Sequence, residues 1–71
     1  SKFDLAKASL EKAVKLRPRF SQAHFELAEL YIRENKPEKA KEHFKNTILF
    51  SPSSEFANKS REYLEKINQK N

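Results

Sequence analysis

Residues 22–34 read Gln-Ala-His-Phe-Glu-Leu-Ala-Glu-Leu-Tyr-Ile-Arg-Glu, and their apolar members fall on almost every side of a helical wheel. Ala23, Phe25, Leu27, Ala28, Leu30, Tyr31 and Ile32 wrap most of the circumference. A helix apolar nearly all round has to be covered on several sides, so this segment is predicted to be the central helix of an all-α fold. Ser21 is placed as its N-cap. Asn35, the best non-glycine residue for a left-handed closing position, ends it.

Outward from this rod, Pro18, Pro37 and Pro52 divide the chain into four pieces of helical length, none with sustained two-residue alternation. The predicted helices run over 2–16, 21–34, 37–50 and 54–68. In the first, Phe3, Ala6, Leu10, Ala13 and Val14 form the apolar stripe, Ser1 is the expected cap with Asp4 as its partner, and Pro18 forces an end near Leu16. In the third, Pro37 suits the first turn, and Ala40, Phe44, Thr47, Ile48 and Phe50 face inward. The fourth opens at Ser53 or Ser54 with Glu55 in its first turn. It carries Phe56, Ala57, Tyr63, Leu64 and Ile67 on one stripe, and the tail from Asn68 to Asn71 is expected to fray.

Shifting the sequence by 34 places Pro18 on Pro52, Ala6 on Ala40, Leu10 on Phe44, Val14 on Ile48, Ala23 on Ala57 and Leu30 on Leu64. What recurs is the size and polarity of the packing residues, which a stacked array must preserve. With this period, His24, Leu27, Ala28, Tyr31, Ala40, Phe44 and Pro52 stand at the spacing of the tetratricopeptide repeat, which the chain resembles over nearly its whole length. His24 stands where that family usually has Trp, and Ala28 where it has Gly. Ala28 keeps the small side chain that lets two backbones approach; His24 fills its hole less well.

The resemblance implies antiparallel helix–turn–helix repeats stacked as a right-handed α-solenoid. It divides the single unit 1–71 into the second helix of a partial repeat (1–20), a complete repeat (21–54) and a capping helix with tail (55–71). The fourth helix has Arg61, Glu62 and Glu65 in the family's Leu–small–Tyr slots, so it reads as a polar-backed cap at the C-terminal end of an array. The first helix lacks its partner, which leaves Leu5, Leu10 and Ala13 partly uncovered. The resemblance further implies a non-catalytic module that holds a peptide or helix of a partner protein in a concave groove. Carried over residue by residue, that groove takes Gln22, Phe25, Glu26, Glu29, Ile32 and Arg33 from the complete repeat, with Lys59 and Tyr63 from the terminal helix. Phe25 and Ile32 are either exposed apolar anchors or residues covered by neighbouring helices. Phe25, Glu26 and Glu29 replace the Lys, Arg and Asn with which some members clamp chaperone carboxylates, which argues against that ligand.

Composition narrows the alternatives. The chain has 71 residues, Lys+Arg 15, Asp+Glu 10 and no Cys or Gly. Disulfides, Cys-based zinc and a Gly-rich phosphate loop are therefore excluded, and the lack of Cys is compatible with a cytosolic setting. No apolar run approaches the length of a membrane span. His24 and His43 belong to no zinc motif, His43 reads as a solvated helix residue, and no catalytic residue, metal or cofactor is expected. Glu26/Glu29 and Glu38/Glu42 have the spacing of a solvated helix face, with Arg33 near Glu29 and Lys41 or His43 near Glu38. The net charge of +5 is concentrated in residues 1–20. Those cations alternate around the helix without interleaved aromatics, which argues against nucleic acid. Self-association through the uncovered first helix is the alternative to peptide binding.

Overall fold

A computed structural model describes residues 2–69. It contains four helices: α1 (Lys2–Leu16), α2 (Ser21–Arg33), α3 (Pro37–Phe50) and α4 (Glu55–Gln69). No strand occurs among the described residues. The expected cap Ser1 and the tail residues Lys70 and Asn71 lie outside that range, while Asn68 and Gln69 are helical.

Short connections fold each helix back on the last. Lys7 of α1 reaches Glu34 just beyond α2, Ser21 at the start of α2 meets Ser51 just beyond α3, and Glu29 of α2 meets Tyr63 of α4. Consecutive helices are thus antiparallel, while α2 and α4 run alongside each other in the same direction. The result is a slab of 30 × 26 × 16 Å. α2 is the element packed against all three others, as its nearly all-round apolar surface requires.

The core is built around small residues where helices touch. Ala28, Ala40 and Ala57 are fully buried, and so are Leu27 and Phe44. Aromatic rings fill the space between α2, α3 and α4. Phe44 stacks on Tyr63 at 4.6 Å between centroids, and Phe25 lies 5.4 Å from Phe56 and 5.9 Å from Phe44. Offset and edge-to-face rings of this kind add to what their buried area contributes. α1 contributes no buried residue; Leu5 and Leu16 are 73% and 71% exposed.

Local chemistry sets the turns. Asn35 adopts φ 59, the left-handed conformation expected of it. Lys36 N–H donates to Tyr31 O at 2.9 Å and Asn35 N–H to Ile32 O at 3.0 Å, closing α2 in a Schellman arrangement. Ser54 Oγ accepts from Ala57 N–H at 3.1 Å and so caps α4.

The expected cap at Ser21 is corrected. The N-cap of α2 is Phe20, with no side-chain cap bond. Ser21 already lies inside the helix, and its hydroxyl is turned to the Ser51 hydroxyl at 2.7 Å. A tertiary contact between the start of α2 and the end of α3 takes the group that local propensity would have used as a cap.

Candidate partner-binding face

The face available to a partner is shaped by α2 and α4 running side by side, with the start of α1 closing one edge. α2 contributes Gln22, Glu26, Glu29, Ile32 and Arg33, spaced so that they recur on one side of the helix. Gln22 and Arg33 are exposed, and Glu26, Glu29 and Ile32 are half-buried. α4 contributes exposed Lys59 and half-buried Tyr63.

Three adjoining depressions run across this face. The largest, about 530 Å³, has Phe3, Leu10 and Leu30 among its lining residues, with Glu29, Arg33 and Tyr63 at its polar margin. A second of about 310 Å³ is bounded by Glu29, Lys59, Glu62, Tyr63 and Lys66. A third of about 230 Å³ lies among Ile32, Asn35, Pro37, Tyr63, Lys66 and Ile67. Tyr63 borders all three.

Several of these polar side chains are already held in place. Tyr63 donates its hydroxyl to Glu29 Oε2 at 3.0 Å. The two positions lie 34 residues apart, so the repeat period itself brings them face to face. Burial, reinforced by that carboxylate acceptor, pushes the Tyr63 hydroxyl above its ordinary pKa. Gln22 Nε2 donates to Glu26 at 3.0 Å, and the Arg33 guanidinium sits 5.0 Å over the Phe3 ring. The face therefore presents oriented carboxylates and cations around an apolar floor.

Phe25 is corrected. Of the two alternatives open to it, the covered one holds: it is 4% exposed, enclosed by Phe44, Phe56 and Tyr63. The docking of α4 seals it beneath the floor of this face. Ile32 is half-buried and keeps an open edge in the third depression.

The sequence reasoning missed Phe3, Leu10, Leu30, Glu62, Lys66 and Ile67. The stripes on α1 and α4 contained the signal, because Phe3 and Leu10 are seven residues apart, as are Lys59 and Lys66. Phe3, Leu10, Leu30 and Glu62 stand at no groove position that the repeat motif marks.

Away from this face lies the rest of the repeat-motif set. Leu27, Ala28, Tyr31, Ala40 and Phe44 are buried, and Pro52 is exposed in the turn before α4. Tyr31 donates to Glu11 at 3.0 Å. Lys7 pairs with Glu34 at 2.8 Å, which holds the Glu34 carboxyl below its usual range and raises the Lys7 ammonium. Glu38 has Lys41 at 3.9 Å, and Glu29 is held by Tyr63.

His43 is also corrected. It is half-buried and forms a bond with His24 at 2.9 Å between the two Nδ1 atoms. Among the described residues no cluster of three or more His, Cys, Asp or Glu is arranged to hold a metal ion, and no helix is long and apolar enough to cross a membrane.

Comparison with known proteins agrees with this architecture. No curated protein and no solved structure matches the chain. The family model described as tetratricopeptide repeat matches residues 1–62. Together with four helices folding back on one another around small-residue contacts, that match places the chain in the tetratricopeptide repeat family, whose members generally serve as non-catalytic scaffolds for protein–protein interaction.

Proposed function

We propose that the chain binds a peptide or short helix of a partner protein across the α2–α4 face, and that residues 1–20, 21–54 and 55–71 act as the second helix of one repeat, a complete repeat and a capping helix. One observation carries the reading: adjoining depressions with an apolar floor, rimmed by Glu26, Glu29, Arg33, Lys59 and Lys66. An amphipathic segment matches this composition, its apolar side on Leu30, Ile32 and Tyr63 and its charges at the rim.

The test is selection from a random peptide library on the whole chain, followed by mapping of amide shifts in its spectrum. Bound peptides should shift residues of α2 and α4 and lose affinity for an Arg33→Glu, Lys66→Glu variant. Shifts confined to α3 or to the outer side of α1 would move the binding face elsewhere.

A second reading is favoured by the exposure of Leu5 and Leu16, which leaves α1 an apolar edge suited to a second copy of the chain. Sedimentation over a range of concentrations decides it, since a Leu5→Asp, Leu16→Asp variant should abolish any association seen in the parent. Nucleic acid is the weakest reading. Of the cations in residues 1–20, Lys7 is paired with Glu34, and Arg17 and Arg19 lie over the rings of Phe20 and Phe50.

A further inference from the structure

His24 on α2 and His43 on α3 meet behind the binding face, and the hydrogen bonding around them permits only one arrangement of protons. His24 Nε2 lies 2.7 Å from the carbonyl oxygen of Pro18. A carbonyl only accepts, so Nε2 carries the hydrogen and neutral His24 has a bare Nδ1. The His43 Nδ1, 2.9 Å away, must then be the donor, which leaves His43 Nε2 bare. His24 is 5% exposed, and the rings stack at 5.1 Å between centroids.

We propose that this pair is an acid-sensitive latch: it accepts one extra proton at most, so mild acidification weakens the join between the α1–α2 turn, α2 and α3. The first proton goes to His43 Nε2 and preserves the Nδ1–Nδ1 bond, but it charges a half-buried ring, and that burial opposes it although the Tyr31 ring, 5.7 Å away between centroids, offers an attractive face. A second proton must enter at His24 Nδ1. There it sets one N–H against another, and the bond is lost.

The surroundings bear on the first step from several sides. Glu11 of α1 and Glu42 of α3 favour the charged form of His43; burial, followed by the repulsion of His24, opposes it more strongly and lowers its pKa. Lys7 of α1 and Lys39 of α3 each lie 5.7 Å from the Tyr31 ring centroid, so that ring already faces cations. From the α1–α2 turn, Arg19 sits over Phe50, which itself packs on His24 at 5.7 Å. The charge on His43 is therefore opposed by its burial first and by the ring it is bonded to second.

The sign follows. In the unfolded chain His43 binds its proton around the ordinary value of 6.5. Below that value the unfolded state takes up more protons than the folded state, so stability is full above it and falls as the pH drops. Each refused proton lowers the folding constant by about tenfold per pH unit. Acidification would thus loosen the helix that supplies most of the binding face.

Nitrogen-detected imidazole spectra of the whole chain test the arrangement directly. At about pH 7.5 His24 should show hydrogen on Nε2 and His43 on Nδ1. On acidification only His43 Nε2 should gain a proton while native signals persist. The opposite tautomers, or both rings fully protonated in the native state, would overturn the proposal. Urea unfolding supplies the second measurement. The folding constant of the parent should fall by about tenfold or more between about pH 7.5 and about pH 5.5, and that of a His24→Phe variant, which keeps only the burial of His43, should fall by clearly less. A variant that follows the parent's pH dependence would sink the latch, and the imidazole spectra decide the matter on the parent alone if the variant does not fold.

Discussion

Ser60 is fully buried on α4, and its hydroxyl has no hydrogen-bond partner among the described residues. A buried polar group left unsatisfied carries its desolvation cost without compensation. Ser60→Ala removes the group and improves helix propensity, and should raise stability by about 1 kcal/mol, measured by urea denaturation. Thr47, equally buried, differs because its hydroxyl donates to His43 O at 2.9 Å, so its truncation removes a made bond. The tyrosines give a second expectation. Burial first, and then the carboxylate acceptors Glu11 and Glu29, raise Tyr31 and Tyr63 above the ordinary value of 10.0. The folded chain keeps these protons at alkaline pH after the unfolded chain has released them. Stability should therefore be full below about pH 10 and decline above it until the folded-state values are passed. Phenolate absorbance followed alongside helix content checks this. Tyrosines that ionise at their ordinary value while the helices persist would show that neither hydroxyl is held as described.

At the scale of elements, Asn35 decides how α2 turns into α3. A non-glycine residue other than Asn or Asp at φ 59 pays about 1–2 kcal/mol for the contact between its Cβ and the backbone. Asn35→Ala should destabilise by about 1 kcal/mol and Asn35→Gly by less or not at all, compared by thermal unfolding. Much of this level is legible in the sequence. Proline and the apolar period place α1 and α3 at their observed ends, and α2 and α4 within a residue. Boundaries are readable because they follow from backbone geometry at Pro18, Pro37, Asn35 and Pro52. Side-chain partners depend on what the tertiary fold brings near. Ser21 was a sound cap by propensity, yet Ser51 is the group it meets. His43 looked solvated because helix spacing alone does not reveal that α2 places His24 opposite it. The floor of the candidate face is readable as stripes, whereas the burial of Phe25 depends on how closely α4 docks.

For the whole molecule, stability should follow the order in which helices are covered. A stacked array is held together by contacts between neighbours, so an element with one neighbour and no buried side chain can open without the rest. α1 is such an element. It contacts α2, has no buried residue, and is tied across chiefly by Lys7–Glu34, Tyr31–Glu11 and the Arg33–Phe3 contact. α2 is enclosed by α1, α3 and α4, and with α3 it holds Leu27, Ala28, Ala40 and Phe44 out of water. Native-state hydrogen exchange should therefore find amides in the middle of α2 and α3 opening only with global unfolding, and those of α1 opening at lower free energy. Lys7→Ala should accelerate α1 further while leaving the α3 amides close to their parent rates, because the lost ion pair belongs to the α1–α2 seam. If α1 instead exchanges as slowly as α2 at high dilution, the chain behaves as one cooperative unit and the neighbour-by-neighbour description fails. If α1 becomes protected only as concentration rises, its exposed Leu5 and Leu16 are being covered by a second copy, and the self-association reading gains the surface it needs.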